Sequence, residues 1–413
     1  MITPGYALTA TERVLPRLAL DFTTANLDSR VTVTRALNTA TRVNSSGYVE
    51  VVNADLPRFD FDPLGSGLCK GLLIEESRTN FLAYGNDFRN ASWSLANTTV
   101  SNTAVTGPDN TLSAYALTED TATNNHAIFQ QFATLAAGAY TYSIFIKPNG
   151  RTQFRLAQTV GATYSVDYDL NTMTAVGTDG GATGSIQSFR NGWYRCFMTF
   201  TTVASINQAF VLYLMSNGQT NYTGNGTSGV IPWGGQVEAG AFATSYIPTT
   251  TTSLTRNADA VAMTGTNFSD WYNASEGALS FEGSILADQG ATTVDFSQIS
   301  NGVSNSNVIS LCMFGATAPL FQVVNGTTQA NIDLGTLAVG SVFKMTGAYK
   351  LDSFAGAING DAAVTDVSGS IPTGMTQIGL GNRLGGGYMN GHARRFMYWP
   401  QRLTNAEVQA FSK

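Results

Sequence analysis

The sequence predicts an all-β protein with an irregular N-terminal segment followed by two β-sandwich (jelly-roll) modules. Only 12% of the residues are charged, about half of the ~25% usual for soluble domains. Short segments that alternate apolar and polar residues recur, as at 140–146, 194–200, 209–214 and 278–283, and Gly, Asn or Asp separates them. Helical periodicity is almost absent. Many short strands with regular turn signals are typical of sandwiches and barrels.

The order of these patterns divides the chain into four parts. A length of 413 residues suits two or three domains. Residues 1–88 are predicted to form the irregular, Arg-rich segment and 89–249 the first jelly roll. Residues 250–267, which open on a Thr-rich run, are predicted to be a linker and lead-in strand, and 268–413 the second sandwich. Thr404 and Glu407 have the spacing of a capping box, so a short helix is expected to end the second module.

Composition argues against several classes of partner and location. The net charge is −6 and no basic run is present, so nucleic acid is not expected as a partner. Three widely spaced Cys favour neither a disulfide framework nor a Cys-based zinc site. No apolar run of membrane-spanning length and no secretory signal pattern are visible, so membrane insertion is not expected. These features suit a protein that is assembled in a bacterial cytoplasm and released by lysis.

The sequence offers no catalytic pattern, and we predict that the protein is not an enzyme. His126 and His392 are far apart, neither lies in a metal-binding spacing, and no G-x-S-x-G motif is present. No cofactor is predicted, although calcium is a possible ligand at two places. The first is the pair Asp60 and Asp62, for which an ion-pair network with Arg58 is the favoured alternative. The second is the loop 221–226, whose Gly-Asn-Gly sequence equally predicts a tight turn.

Three groups of motifs resemble phage virion proteins of the head-spike, head-fibre and tail-fibre type. The first group comprises 20–22, 30–35, 57–63 and 71–80. The second comprises 90–93, 140–143, 192–195, 233–240 and 244–248, and is similar to the jelly-roll carbohydrate-binding modules of glycosidases. The third comprises 343–349, 358–360, 391–399 and 402–403, and is similar to a concanavalin-A-like (laminin-G-like) sandwich. The motifs occur in the order that this group of proteins shows.

The resemblance implies a structural protein of the virion surface that attaches a phage to its host. The expected partners are a host cell-surface glycan and, through the N-terminal segment, a capsid, neck or tail protein. The assembly expected by analogy is a homotrimer, which would also multiply weak sugar contacts. Two alternatives remain open at this point: a capsid or neck decoration fibre that binds nothing, and, less favoured, a glycan depolymerase.

Two sets of candidate binding residues follow. Eight of the 17 Arg lie within the first 89 residues, and Arg30, Arg35, Arg58 and Arg78 are predicted to dock the protein onto the virion. The predicted sugar-binding residues combine aromatic rings with hydrogen-bonding groups near module edges and in a Gly-rich turn. They are Trp271, Tyr272, Arg383, Tyr388 and Asn390. A packing role is the alternative for Trp271 and Tyr272, and a hairpin without a ligand is the alternative for the Gly-rich turn.

Overall fold

The computed structural model describes residues 14–37, 39–159, 163–203, 205–287, 293–315, 317–384 and 386–413. Within these residues the backbone forms 33 strands, two short α-helices and two 3-10 helices. The predicted all-β class with β-sandwich modules is therefore confirmed. The 3-10 helices are Phe22–Thr24 and Arg190–Gly192, and the α-helices are α1 (Thr266–Ser269) and α2 (Asn405–Phe411).

The strands are numbered in chain order. The first eleven are β1 (Leu18–Asp21), β2 (Thr32–Thr34), β3 (Ala40–Val43), β4 (Val49–Val52), β5 (Phe59–Phe61), β6 (Cys69–Ile74), β7 (Arg78–Asn80), β8 (Ser94–Ala96), β9 (Thr98–Thr106), β10 (Leu112–Glu119) and β11 (Thr123–Asn125). The next eleven are β12 (Ala127–Leu135), β13 (Gly138–Asn149), β14 (Gln153–Gln158), β15 (Tyr164–Asp169), β16 (Thr174–Asp179), β17 (Thr183–Phe189), β18 (Trp193–Thr202), β19 (Ile206–Leu214), β20 (Asn221–Thr223), β21 (Gly229–Ala239) and β22 (Leu254–Arg256). The last eleven are β23 (Ala260–Thr264), β24 (Glu276–Ile285), β25 (Val294–Ser300), β26 (Asn307–Phe314), β27 (Ala318–Asn325), β28 (Thr327–Asp333), β29 (Val342–Lys350), β30 (Ser353–Ile358), β31 (Val364–Asp366), β32 (Gln377–Leu380) and β33 (Gly391–Trp399).

The chain folds into two compact units that are each discontinuous in sequence. Unit 1 combines Met1–Val33, Gly71–Ile74 and Ala260–Lys413, and unit 2 combines Thr34–Lys70 and Glu75–Asp259. The segment predicted as 1–88 thus contributes strands to both units. The segment predicted as a linker, 250–267, contains β22 of unit 2 and β23 of unit 1.

Unit 2 is a sandwich of two six-stranded sheets. One sheet has the order β17-β18-β13-β21-β10-β9, and the other has the order β16-β15-β14-β19-β12-β8. All the pairs are antiparallel, so each strand alternates one residue toward the core and one away from it. The core contains Tyr142, Phe154 and Phe210, which are all 0% exposed. The ring of Tyr142 stacks on that of Phe210, with centroids 5.4 Å apart.

The β13–β21 sheet of unit 2 also packs on its second face. A separate apolar cluster there contains Phe145, Trp193, Trp233 and Tyr246, together with Val49 from the β3–β4 hairpin. The ring centroids of Phe145 and Trp233 are 5.3 Å apart. This part of the N-terminal region is therefore folded onto the jelly roll, and Trp193 and Trp233 are each only 2% exposed.

Unit 1 is a second antiparallel sandwich. One sheet contains, in order, β31, β30, β29, β24 and β33, and β33 pairs on its other side with β1 and with the Gly71–Ile74 part of β6. The other sheet contains, in order, β23, β32, β25, β26, β27 and β28. Phe281 and Phe296, from the two sheets, stack with centroids 5.7 Å apart. The core therefore lies between the sheets.

Helix α2 begins where the sequence predicts it. The Thr404 hydroxyl accepts a hydrogen bond from the Glu407 amide, and the Glu407 carboxylate accepts one from the Thr404 amide, which completes the capping box. Val408, on the same helix, is buried. In the part of the chain that the structure describes, no helix combines the length and the apolar character that crossing a membrane requires.

Candidate functional site

The outward face of the β16–β8 sheet of unit 2 differs from an ordinary wet sheet face, because small apolar residues occupy its centre. Ala127, Ala157, Ala209 and Val211 form a cluster in which no member is more than 5% exposed. Alternation along each strand fixes which side chains share this face. Two successive rows across the sheet contain Ala127, Tyr213, Arg155 and Asp167, and then Phe129, Val211, Ala157 and Ser165.

Four residues of these rows, Ala127, Phe129, Val211 and Tyr213, line a cleft of about 420 Å³. Its floor includes Ala127, Ala209 and Val211, and the half-buried rings of Phe129 and Tyr213 line it beside them. The polar lining residues are Asn97, Asn124, Asn125, Gln131 and Thr159. The size lies within the range of about 300–1,000 Å³ typical of small-molecule sites, and apolar walls with a few hydrogen-bonding groups are the usual chemistry of such sites.

The amide-rich end of the cleft is held by a network of buried polar groups. The Asn97 carboxamide donates to the Asn125 carbonyl at 2.8 Å. His126, fully buried, places Nδ1 2.8 Å from the Asn97 carbonyl oxygen and Nε2 3.2 Å from the Tyr222 carbonyl oxygen. The Tyr222 hydroxyl in turn donates to the buried carboxylate of Glu119 at 2.6 Å. His126 is thus a positioning residue for the backbone that presents the asparagines.

One polar atom in the cleft lining lacks a partner. The carboxamide oxygen of Asn125 is buried and accepts no hydrogen bond from the described residues. An unpaired acceptor of this kind costs free energy unless a donor reaches it. The oxygen itself has almost no accessible surface, so a molecule in the cleft would reach it only after the Asn125 side chain moved.

This cleft was not predicted from the sequence, although a signal for it is present. Several outward-facing positions of β12, β14 and β19 carry Ala or Val where a wet strand face ordinarily carries Thr, Ser or charged residues. Ala127, Ala157 and Ala209 occupy such positions. Small residues at the centre of an outward sheet face leave a depression, and recognising it requires knowing which strands are neighbours.

Trp271 and Tyr272, predicted to contact sugar, lie just after helix α1 in unit 1. The Trp271 indole is 3% exposed, its Nε1 donates to the Asn267 carbonyl at 2.7 Å, and its ring packs against Tyr398 with centroids 4.8 Å apart. The Tyr272 ring stacks on Phe268 at 4.8 Å. These are packing contacts within unit 1, and a sugar-binding role for Trp271 and Tyr272 stays a prediction.

The Gly-rich turn of unit 1 brings Arg383 against a buried carboxylate. The Arg383 guanidinium lies 3.2 Å from Asp295, which also accepts a hydrogen bond from Gln298 at 2.6 Å. Tyr388 is half-buried, and Asn390 is 1% exposed with its carboxamide 3.3 Å from the Tyr388 carbonyl. The predicted residues are therefore close in space, but Arg383 is engaged internally. Their role in sugar binding stays a prediction.

Asp295 makes the stability of unit 1 depend on pH. Burial raises the pKa of its carboxyl to about 7, and the attraction of Arg383 offsets only part of this effect. An unfolded Asp has a pKa of about 3.9. Between these values the folded state holds a proton that the unfolded state has released, so stability falls as the pH rises through this window. We expect Asp295→Asn to gain melting temperature over the wild type at pH 8 and to lose that advantage at pH 5.

The measurement is the melting temperature of both proteins from pH 4.5 to 8.5. Asp333→Asn, which changes an exposed carboxylate on β28, is the matched control and is expected to follow the wild type. The groups that face Asp295 are Arg383, Gln298, the Ser310 hydroxyl and the buried Cys312 thiol, whose own pKa is raised by burial. Parallel curves for Asp295→Asn and the wild type would refute the role of Asp295.

The four arginines predicted to dock onto a virion protein have internal partners. Arg30 pairs with Asp28 at 2.7 Å and keeps a side chain that is 38% exposed. Arg78 pairs with Glu76 at 2.5 Å and lies over the ring of Phe242. Arg35 and Arg58 are 1% and 0% exposed and belong to an ion-pair cluster within unit 2. Virion docking through these residues stays a prediction, and Arg30 has the most exposed guanidinium of the four.

The two places considered for calcium have other hydrogen-bonding roles. The Asp60 carboxylate accepts a hydrogen bond from the Val43 amide at 2.8 Å. Arg58 forms its ion pairs with Glu75 and Asp259, which are more distant in sequence than Asp60 and Asp62. In the 221–226 loop, the Asn225 carboxamide oxygen accepts from the amides of Thr227 and Ser228. Among the described residues, no group of three or more His, Cys, Asp or Glu is placed to hold a metal ion.

No protein-family model and no curated protein matches the chain. Several solved structures are similar in fold. The CBM40 module of the Ruminococcus gnavus IT-sialidase, bound to α2,3-sialyllactose, has 12% identity and a TM-score of 0.30, and the match covers 34% of this chain and 84% of that one. A variant of the Streptococcus pneumoniae NanB sialidase has 14% identity and a TM-score of 0.31, covering 37% and 26%. Domains LG4-5 of mouse laminin α1 have 11% identity and a TM-score of 0.24, covering 69% and 88%. Each similarity concerns the fold alone.

Proposed function

We propose that the protein binds carbohydrate and that the cleft on the β12–β19–β14 face of unit 2 is its binding site. The observation that carries the proposal is the combination of an apolar floor, two aromatic rings and several carboxamides in one open depression. Sugars present C–H groups to aromatic rings and hydroxyls to amides, so this lining matches both kinds of sugar surface. Tyr213 and Phe129 supply the rings, and three asparagines and Gln131 supply the carboxamides.

The length and width of the cleft suit a short saccharide. The face extends from Ala127 to Gln131 along β12, which corresponds to about 13 Å at the usual rise of an antiparallel strand. Neighbouring strands add about 4.8 Å each across the sheet. A single site of this kind is expected to bind weakly, because each hydroxyl contact replaces a contact with water. Repetition of the site in an oligomer would raise the avidity.

The biological setting that we propose is host attachment at the surface of a phage virion, with cell-surface polysaccharide as the ligand. The support is the order of motifs that resembles phage spike and fibre proteins. In this proposal the protein is assembled in the host cytoplasm, forms a homotrimer and docks through its N-terminal region to a capsid, neck or tail protein. Light scattering of the purified chain tests the trimer, and mass spectrometry of purified particles tests the location.

Tyr213→Ala is expected to weaken glycan binding about tenfold, which corresponds to ~1.4 kcal/mol. The reason is the loss of a half-buried ring in the cleft, where stacking contributes beyond the area that is buried. The measurement is titration of the labelled full chain against host polysaccharide and an oligosaccharide array. Ala209→Trp, which fills the floor of the cleft, is expected to abolish binding.

The matched control is Tyr115→Ala. Tyr115 is also half-buried in unit 2, but it lies on β10 in the other sheet. Its removal should leave glycan binding unchanged. Equal weakening by Tyr115→Ala and Tyr213→Ala would show that the site is elsewhere. Absence of binding to any glycan by the intact wild type would end the proposal.

A further inference from the structure

The charge distribution around the cleft bears on which sugars it accepts. Among the described residues that line the cleft none is charged: the polar ones are three Asn, one Gln, one Thr and one Tyr. Carboxylated sugars, such as sialic and uronic acids, carry a full negative charge that is costly to desolvate without a cationic partner. The lining offers hydroxyl and amide hydrogen bonds but no cation.

The basic residue next to the cleft is already engaged. Arg155 on β14 lies opposite Tyr213 on β19, so its side chain shares the outward face. Its Nε and Nη2 donate to the two oxygens of Asp167 on β15 at 2.5 and 2.9 Å. The pair is partly buried, with side-chain exposures of 26% and 25%. A bidentate pair of this kind occupies the fork that would otherwise bind a ligand carboxylate.

Further acidic residues extend this pattern on the same sheet face. Asp179 on β16 accepts from the Ser165 hydroxyl at 2.8 Å, and Asp169 on β15 accepts from Gln153 at 2.9 Å. With Asp167, this part of the sheet face therefore has three carboxylates and one guanidinium group, that of Arg155. These carboxylates lie two or three strands away from Tyr213, so they add only a weak, screened repulsion of a ligand carboxylate.

Resting on the proposed function, we infer that the cleft takes uncharged glycans and that the Arg155–Asp167 pair keeps carboxylated sugars out. Asp167 acts by occupying the guanidinium, and the uncharged lining then discriminates by shape and hydroxyl pattern. Asp167 thereby has a specificity-determining role, because removing its charge would free Arg155 beside the cleft. Specificity that comes from an unfavourable group is a common device in recognition.

The test compares galactose and galacturonic acid oligomers of the same linkage and length, which differ only by a carboxyl group in place of the C6 hydroxymethyl group. Lactose and sialyllactose, which differ by one sialic acid residue, form a second pair. The wild type is expected to bind members of the uncharged set. Asp167→Asn is expected to raise affinity for the carboxylated set about 10- to 100-fold, the range of a new charge-assisted hydrogen bond. Arg155→Met combined with Asp167→Asn should remove this gain, and Asp361→Asn, an exposed carboxylate in unit 1, should not produce it.

The results distinguish failure of this inference from failure of the proposed carbohydrate binding. Wild-type binding of carboxylated oligomers as tightly as uncharged ones would overturn the inference and leave the carbohydrate-binding proposal intact. A folded Asp167→Asn protein that binds the uncharged set but gains nothing for the carboxylated set would overturn the role of the pair. Wild-type protein that binds neither set would end both proposals. Circular dichroism establishes that each variant is folded.

Discussion

Asp259→Asn is expected to lower the free energy of unfolding of unit 2 by about 3–5 kcal/mol, the usual cost of removing one partner from a buried ion pair. The Asp259 side chain is 2% exposed. One carboxylate oxygen accepts from Arg35 at 2.9 Å, and the other accepts from Arg58 and from the Glu75 amide, the latter at 3.0 Å. The substitution therefore removes the charge that balances two fully buried guanidinium groups.

Glu75 is the other buried carboxylate of this cluster and could not replace Asp259. It already pairs with Arg58 at 2.7 Å and lies 3.4 Å from Arg256. Burial alone would raise the pKa of Glu75, but Arg256, Arg58 and hydrogen bonds from Ser245 hold it well below its usual range. The cluster therefore has three guanidinium groups and two carboxylates, and losing either carboxylate leaves uncompensated positive charge.

Arg256→Met provides the contrasting variant. The Arg256 guanidinium is fully buried, and its three nitrogens donate no hydrogen bond to the described residues. Burial lowers its pKa, with partial compensation by Glu75. Because its desolvation is poorly compensated, replacement by an apolar side chain of similar length should cost much less than Asp259→Asn.

Chemical denaturation of each variant, followed by fluorescence and circular dichroism, gives the comparison. Asp270→Asn, which changes an exposed carboxylate, serves as the control and should stay within about 0.5 kcal/mol of the wild type. Equal losses for Arg256→Met and Asp259→Asn would contradict this account, since they would mean that Arg256 contributes as much to stability as Asp259 although it donates no hydrogen bond to the described residues.

Much of the fold could be predicted because its signals are local. Alternation along 140–146 and 209–214 identified strands of the unit 2 sandwich, and the Thr404–Glu407 spacing identified the C-terminal helix. The indoles of Trp193 and Trp233 are buried in the cluster on the second face of the β13–β21 sheet, which strand alternation alone does not predict.

The buried cluster and the cleft depend on contacts that are distant in sequence. Arg35, Arg58, Glu75 and Asp259 meet although 224 positions separate the first from the last, so their types alone suggested an exposed docking surface. The cleft likewise needs the neighbours of β12 and β14, which are brought together by β19. Strand patterning predicts which face a residue occupies, but it does not predict which strands share a sheet.

Trp399→Ala is expected to cost unit 1 about 3–5 kcal/mol. The indole is 0% exposed, its Nε1 donates to the Val14 carbonyl at 3.0 Å, and its ring lies 4.5 Å from that of Phe411 in α2. Its other neighbours are mainly alanines, namely Ala278, Ala348, Ala355 and Ala357. Alanine side chains have no rotamers with which to fill a void, so the cavity left by the indole should stay open.

Trp399→Phe separates packing from the hydrogen bond, because it keeps an aromatic ring and loses only the indole donor and part of the volume. We expect it to cost about 1–2 kcal/mol, well below the loss for Trp399→Ala. Hydrogen exchange adds a local readout: the Val408 amide, which donates to the Thr404 carbonyl at 2.9 Å, should exchange faster in Trp399→Ala because α2 loses its packing surface. Unchanged protection at Val408 together with a full loss of stability would instead place the effect in the β-sheet of unit 1 and not in the docking of the helix.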